Sequence, residues 1–455
     1  MADVYDVIVL GAGPTGENVA QRAVRGGLSA AIVESELVGG ECSYWACMPS
    51  KALLRPVAAA AEANHVRGVH GARLDVGGVL ERRDEFAHHW KDDAQVEWVR
   101  NAHVDLVRGV GRIAGERVVR VGDAELRARQ AVVVATGTRA VVPSSLADVK
   151  PWTSREATSA HEVPASLAIV GGGVVGCEMA VAWSALGARV TLLARGGLLE
   201  RLPGFAGDLV AQGLRDAGVD VRLGVAVTAA SRDRVVTLTL DDGTTIEADE
   251  VLAAAGRAPR TDEIGLDSIG LKPGSWLEVD DTMRVNAVDG GWLYAAGDVN
   301  HLALLTHMGK YQGRVCGDGI AARAEGQEPA VRDRSSKTCV PQVIFTIPEV
   351  SAVGLTKEQA ESGGHTVRVV EYEIGGVAGA KLFEDGYAGH AQMIVDEQAK
   401  TILGMTLVGP GVGELIHAAT IAVAGEVPLD KLWHAVPSYP TMSELWLRLL
   451  ESYGL

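Results

Sequence analysis

Residues 6–36 read DVIVLGAGPTGENVAQRAVRGGLSAAIVESE. An apolar strand runs into a glycine turn (Gly11, Gly13, Gly16), the turn opens a helix, and a second apolar stretch ends on Glu34. This is the order of a βαβ unit of about thirty residues. Its turn brings backbone N–H groups and a helix N-terminus against one pyrophosphate, and the carboxylate at the end of the second strand can accept hydrogen bonds from a ribose. A glycine turn alone also serves ordinary packing, so the flanking strand, helix and acidic residue carry the reading. The pattern returns at 166–196, SLAIVGGGVVGCEMAVAWSALGARVTLLARG, with Gly171, Gly173 and Gly176 in the equivalent places. Two units predict two dinucleotide sites in one chain.

The copies differ at the ribose position. Glu34 lies 18 residues after Gly16; the equivalent residue of the second copy is Ala194, and Arg195 follows. Loss of the carboxylate removes the repulsion a 2′-phosphate would meet, and a guanidinium adds a partner for it. This predicts NADPH in preference to NADH.

Between the units, residues 51 to 100 favour helix, and strands ending in AVVVATGT (131–138) follow. Pro143 and Pro151 mark a joint before the second unit, and Pro259 follows its last strand. LYAAGDV (293–299) is a short strand breaking at Gly297 with Asp298 just beyond. From about residue 336, strands such as QVIFTI and QMIVD alternate with helices ending in ELWLRLLESYGL, the texture of a separate α+β domain.

A chain of 455 residues holds two to four domains. With 47% apolar and 22% charged residues it should be folded throughout. A net charge of −16 offers no field for nucleic acid or anionic lipid. The start, MADVYDVIVL, shows no basic leader, and no apolar run reaches membrane-spanning length, so the expected location is the cytoplasm, with no membrane partner.

Of five cysteines, Cys177, Cys316 and Cys339 stand alone and read as small buried hydrophobes. Cys42 and Cys47 lie in GGECSYWACMPSKALL (39–54), directly after the first unit. Five residues of regular helix rise about 7.5 Å, too far for a disulfide, so the pair must sit on an irregular first turn. There Cys47 lies near a helix N-terminus, and the dipole and Lys51 favour a thiolate. A metal site would need further ligands at the right spacing, and none is near.

With these segments together, the chain resembles the FAD-dependent pyridine nucleotide-disulfide oxidoreductases, which include glutathione reductase, dihydrolipoamide dehydrogenase and mercuric reductase. The resemblance spans essentially the whole chain in order: GAGPTG with Glu34, the CxxxxC-x-PSK segment, ATGT, GGGVVG, AAGRAP, AAGDV, VIFTIPEVSAVG (343–354) and YPTMSE (439–444). It implies an α/β chain with two Rossmann-like dinucleotide-binding domains and a C-terminal α+β dimerisation domain: FAD binding at 1–145 and 262–335, pyridine nucleotide binding at 146–261, and a homodimer interface at 336–455. Cys42 would be the interchange thiol that attacks a substrate disulfide, and Cys47 the thiol in charge-transfer contact with flavin. Lys51 would reach the flavin near N5 and pair with Glu178. Asp298 would hold the ribityl chain, His307 of LLTH would line FAD, and Thr136, Gly137 and Gly256 would fall at cofactor contacts. Arg201 matches a second arginine that glutathione-reductase-like members place at the 2′-phosphate pocket.

Two departures bear on the acceptor. The family's HPTxxE supplies a histidine across the dimer interface, oriented by the glutamate; here the residues are Tyr439, Pro440, Thr441 and Glu444. His434 lies five positions upstream and reads as structural or surface. Ser43, Tyr44, Trp45 and Ala46 replace smaller residues between the cysteines, and an acceptor could bind through Tyr44, Trp45 and Tyr439. The expected function is passage of electrons from NADPH through flavin and the Cys42–Cys47 disulfide to a small-molecule acceptor. The alternatives are a diaphorase or quinone reductase working from the flavin, a dihydrolipoamide dehydrogenase-like enzyme, which Arg195 disfavours, a mercuric reductase, which the ending ESYGL without paired cysteines disfavours, and an FAD-holding redox sensor without turnover.

Overall fold

The computed structural model describes residues 3–455. Contacts divide them into two compact units: the first takes residues up to Pro49, Asp84–Ala140 and Arg257–Lys337, the second Ser50–Arg83, Val141–Gly256 and Thr338–Leu455.

In the first unit the strand Asp3–Leu10 lies parallel between Ala30–Glu34 and Ala124–Val134, in register Val9 to Ile32 and Val133. Asp105–Arg108 extends the sheet on one side, and Leu293–Ala295 pairs with the end of Ala124–Val134 on the other. Val7, Ile8, Val9 and Leu10 are all buried, because a parallel strand covered on both faces has no solvent side to present. Pro14–Arg25 begins with proline at its first turn, where the missing N–H costs nothing. Its partner is the helix Thr306–Ala324, which meets it along Gly309, Gly313 and Gly317. A Cβ at Gly313 would come within 2.7 Å of Thr15 O, and one at Gly317 within 2.6 Å of Arg22 Cβ, so only glycine permits this approach. An Arg22–Asp318 ion pair closes the far end.

The second unit contains the other βαβ copy. Its parallel sheet runs Asp220–Leu223, Arg189–Ala194, Ser166–Val170, Glu250–Ala253, and Val174–Ala185 crosses over it, with eight consecutive residues from Gly176 to Trp183 buried. Leu53, Leu54, Val57 and Val79 share a core with Leu167, Ile169 and Trp183. Residues 50–83 therefore cluster with this unit, which a first segment running unbroken from 1 to 145 does not anticipate. A three-stranded antiparallel excursion (Val227–Arg232, Val236–Leu240, Thr245–Ala248) precedes the last parallel strand.

From residue 338 the chain forms a five-stranded antiparallel sheet in the order Gln342–Ile344, Val350–Gly354, Thr401–Val408, His390–Asp396, Val367–Glu373. Ile416–Ala424 and Leu445–Tyr453 pack on it through Ile416, Ala419, Leu445 and Leu449. The α/β architecture with a C-terminal α+β domain agrees with the sequence reading. Cys177, Cys316 and Cys339 are buried.

Candidate active site

The first glycine turn is tight where packing needs it and open where a ligand would approach. Gly11 has φ +101, and a Cβ there would meet Ala135 O at 2.5 Å; one at Gly16 would overlap Gly11 O. At Gly13 the nearest atom to a Cβ is Gly40 Cα, at 4.0 Å. Glu34 is fixed at its strand end: Ala12 N–H donates to Oε2 and Glu36 N–H to Oε1, both at 2.8 Å. Thr136 Oγ1, beside Gly137, is buried with no hydrogen-bond partner among the described residues. The Thr138 hydroxyl donates to Asp298 Oδ2 at 2.9 Å, and loss of hydration pushes the Asp298 carboxyl above its ordinary range. A polyhydroxylated dinucleotide would supply the partner that Thr136 Oγ1 lacks, and the cradle of Gly11, Gly13, Gly16, Glu34, Thr136, Gly137 and Asp298 fits FAD. His307 is exposed on the first turn of Thr306–Ala324.

The two sulfurs straddle a break between helices. Cys42 lies in Gly40–Tyr44, Trp45 leaves helical geometry at φ −140, and Cys47 opens Cys47–Asn64. Both residues are thiols, with Cys42 hydrogen bonded to Cys47 and the Thr306 hydroxyl 3.2 Å from Cys47 Sγ. The hydrogen bond to Cys47, then burial, push the Cys42 thiol up, with Thr306 and Lys310 opposing. Negative charge is therefore best carried by Cys47, at the first turn of a helix whose dipole favours it.

Tyr44 points inward. Its side chain is fully buried, its hydroxyl donates to Val38 O at 2.9 Å, and its carbonyl accepts the Trp90 indole N–H at 3.1 Å. The expectation that an acceptor binds through Tyr44 is corrected by this burial: the residue anchors the loop between the cysteines from beneath.

Lys51 Nζ lies 2.8 Å from Glu178 Oε2, and Glu178 Oε1 accepts the Phe345 N–H at 3.0 Å. Glu178 is 3% exposed, so its two oxygens depend on these partners and not on water. Glu178→Leu should cost about 1–3 kcal/mol by leaving the Phe345 N–H without an acceptor and removing the ion pair with Lys51. A thermal midpoint equal to that of the unmodified protein would contradict this.

In the second turn Gly171 has φ +130, Cβ atoms at Gly171 and Gly176 would overlap backbone oxygens, and Gly173 is open. Gly256, also at positive φ, has its carbonyl bonded by Val141 N–H at 2.9 Å. Arg195 and Arg201 are exposed and have no ion-pair partner among the described residues. Sequence reasoning missed Glu200. Leu199 adopts φ +52 while its N–H bonds Gly172 O at 2.9 Å, and the chain turns so that Glu200 Oε1 accepts the Gly197 N–H at 3.0 Å. A carboxylate thus returns to the turn beside Arg195, six residues beyond the offset at which one was sought.

Tyr439 is 77% exposed. Glu444 is buried: Oε1 pairs with Arg448 at 2.6 Å, while Oε2 has no partner among the described residues. His434 is exposed.

Two glycine-turn βαβ units and a dithiol at a helix start define the class, an oxidoreductase handling two dinucleotides. The chain belongs to the pyridine nucleotide-disulphide oxidoreductase family: that family's model matches residues 5–315, and its dimerisation-domain model matches 340–449. Members are FAD-dependent and use a pyridine nucleotide. The chain is similar to dihydrolipoyl dehydrogenase 3 of Pseudomonas aeruginosa (34% identity, over 98% of this chain and 97% of that one) and to the dihydrolipoyl dehydrogenase of Halobacterium salinarum (32%, over 98% and 95%). Its fold matches that of the HOCl-induced flavoprotein disulfide reductase RclA from Escherichia coli, solved as a Cu(II) complex (TM-score 0.85, 24% identity, 99% of each chain). Among the described residues no helix is long and apolar enough to cross a membrane, and no cluster of His, Cys, Asp or Glu could hold a metal ion.

Proposed function

We propose that the protein is a homodimeric, FAD-dependent reductase that draws electrons from NADPH and delivers them through Cys42 and Cys47 to a small-molecule acceptor. The observation that carries this reading is the dithiol at the start of Cys47–Asn64, with the Thr306 hydroxyl on one sulfur. Bound FAD supplies the two-electron relay between nicotinamide and the cysteine pair. Cys42 attacks one sulfur of a disulfide acceptor and expels the other as a thiol. Cys47 then attacks Cys42, releasing the second thiol and leaving a Cys42–Cys47 disulfide. The balance is NADPH, one proton and a disulfide giving NADP⁺ and two thiols.

Two observations favour a second reading, an NADH-linked enzyme acting on a dihydrolipoyl group. The similar curated proteins are dihydrolipoyl dehydrogenases, and Glu200 offers a carboxylate beside the second glycine turn. The experiment is consumption of NADPH and of NADH against lipoamide, glutathione disulfide, quinones, mercuric ion and oxygen. Rapid NADH-linked lipoamide reduction with no use of NADPH would replace the first reading with the second. The purified protein should be yellow and release about one FAD per chain on heating, as a single cradle of this kind requires; release of FMN, or no flavin after reconstitution, would contradict both.

A further inference from the structure

Three consecutive residues, His88, His89 and Trp90, stand at φ +50, +50 and +54. L-residues enter this left-handed region singly, in turns, and each non-glycine residue there costs energy. Ala87 before them and Lys91 after them have ordinary backbone, at φ −86 and −112. The turn closes through Trp90 N–H to Ala87 O at 2.8 Å and Lys91 N–H to His88 O at 3.0 Å. His88 and His89 are exposed, whereas Trp90 and the two residues after it all reach the segment that carries the sulfurs.

The Trp90 indole N–H donates to Tyr44 O at 3.1 Å, and Lys91 O lies 3.4 Å from the Tyr44 hydroxyl. Asp92, itself paired with Arg108, accepts the Val38 N–H on Oδ2 at 2.8 Å. Tyr44 is the last residue of Gly40–Tyr44, the helix that carries Cys42. Carbonyls at a helix end have no partner within the helix; the indole N–H is the partner of this one. The helix stops there, Trp45 turns to φ −140, and the chain returns with Cys47 within hydrogen-bond reach of Cys42. Gly39, at φ +111, lies against the Tyr44 ring, where a Cβ would meet Cε2 at 3.1 Å, and its N–H donates to Ala12 O at 2.7 Å in the first glycine turn. The hand of the turn at 88–90 decides where the indole points, so a costly backbone is retained with the contact it makes possible.

We propose that the left-handed turn of His88, His89 and Trp90 is a clamp on the redox loop: by capping Tyr44 it holds Cys42 and Cys47 together as thiols and thereby favours their disulfide. Trp90 is a positioning residue that acts through Tyr44. The clamp stands on the contacts above, and its effect on the disulfide rests on the reading of Cys42 and Cys47 as a redox couple. Closing the pair takes two electrons and two protons from the thiols and forms one S–S bond; in a dithiothreitol buffer the cyclic disulfide of the oxidised reagent accepts them, and its own S–S bond opens. Clamped thiols lose little further freedom on closing. An unclamped loop must be ordered first, so release lowers the effective concentration of one sulfur at the other.

In the FAD-loaded protein without nicotinamide, the oxidised fraction of the pair is read by alkylation and mass spectrometry across dithiothreitol buffers. Trp90→Phe keeps a ring and loses the N–H. It should lower the equilibrium constant for disulfide formation about 2–10-fold, the worth of one hydrogen bond, which makes the midpoint about 10–30 mV less negative. Tyr44→Phe, which removes the hydroxyl bonded to Val38 O, should shift it the same way and serves if Trp90→Phe does not fold. His88→Asn with His89→Asn, which removes both imidazoles and keeps residues that accept this backbone, should leave the midpoint unchanged. A Trp90 that merely supported the fold would lower the thermal midpoint and not move the redox midpoint. Hydrogen exchange of the Trp45 N–H, bonded to Glu41 O at 2.8 Å, should quicken in Trp90→Phe by a similar factor. Unchanged exchange and an unchanged redox midpoint in both Phe variants overturn the clamp. A shift in the Asn pair as large as that in Trp90→Phe also overturns it, assigning the effect to the imidazoles. Faster exchange in Trp90→Phe, when the unmodified protein forms no Cys42–Cys47 disulfide at any buffer ratio, upholds the hold on the loop and refutes the redox-couple reading.

Discussion

Tyr439→His should raise turnover of simple disulfides such as glutathione disulfide or lipoamide by about 10²–10⁴, the usual contribution of a positioned general acid–base group. The chemistry requires a base that draws the proton from Cys42 and an acid that returns one to the departing sulfur. Cys42 makes the first task harder, because its hydrogen bond to Cys47 and its burial both favour the protonated thiol. An imidazole, titrating near neutrality, does both tasks; a phenol, ordinarily titrating at about 10, does neither well. On the same segment, Glu444 holds a buried oxygen that has no partner among the described residues, the kind of acceptor an imidazole N–H needs to fix its tautomer. The unmodified enzyme should accordingly be poor with dialkyl disulfides and better with quinones or another electrophile. The check is steady-state kinetics of both proteins at neutral pH. Fast reduction of glutathione disulfide or lipoamide by the unmodified protein, undiminished in Tyr439→Phe, would mean that another group does the work of the histidine.

The second large effect is expected at the pyridine nucleotide. If Arg195 and Arg201 hold a 2′-phosphate, replacing both with alanine should remove about 1.5–3 kcal/mol per charge-assisted contact from kcat/KM with NADPH. That amounts to about 10²–10⁴ for the pair, with little change for NADH. Both guanidinium groups lack ion-pair partners among the described residues, so no internal contact is lost with them. Glu200 decides the converse. Its carboxylate, held by the Gly197 N–H, would repel a phosphate and suit a free ribose. Glu200→Ala should therefore increase the preference for NADPH, whereas a fall in NADH use in that variant, with NADPH unused throughout, would assign the site to NADH. Equal use of both nucleotides by the unmodified enzyme would refute the preference itself.

Much of this molecule is legible in its residues because the βαβ units are local. Strand, glycine turn, helix and second strand all lie within about thirty residues, and their apolar runs are long enough to identify buried parallel strands. The antiparallel excursion of Val227–Ala248 leaves a weaker pattern, since its strands are four to six residues long and two of them are largely exposed. The cysteine segment, too, implies an irregular turn from the reach of a disulfide, and the break at Trp45 is that turn.

By itself, then, the sequence determined the two dinucleotide folds, the reactive sulfur pair and the separate C-terminal α+β domain, because each depends on residues close together in the chain. Tertiary structure alone decided which side chains the long-range packing brings together. Tyr44 turns into the core instead of toward an acceptor, residues 50–83 join the core of Leu167 and Trp183, and Glu200 folds back onto the turn at Gly197. Thr306 stands 259 positions beyond Cys47, and no periodicity links them. They become neighbours because the glycines of Thr306–Ala324 allow that helix to lie against Pro14–Arg25, which carries the first glycine turn.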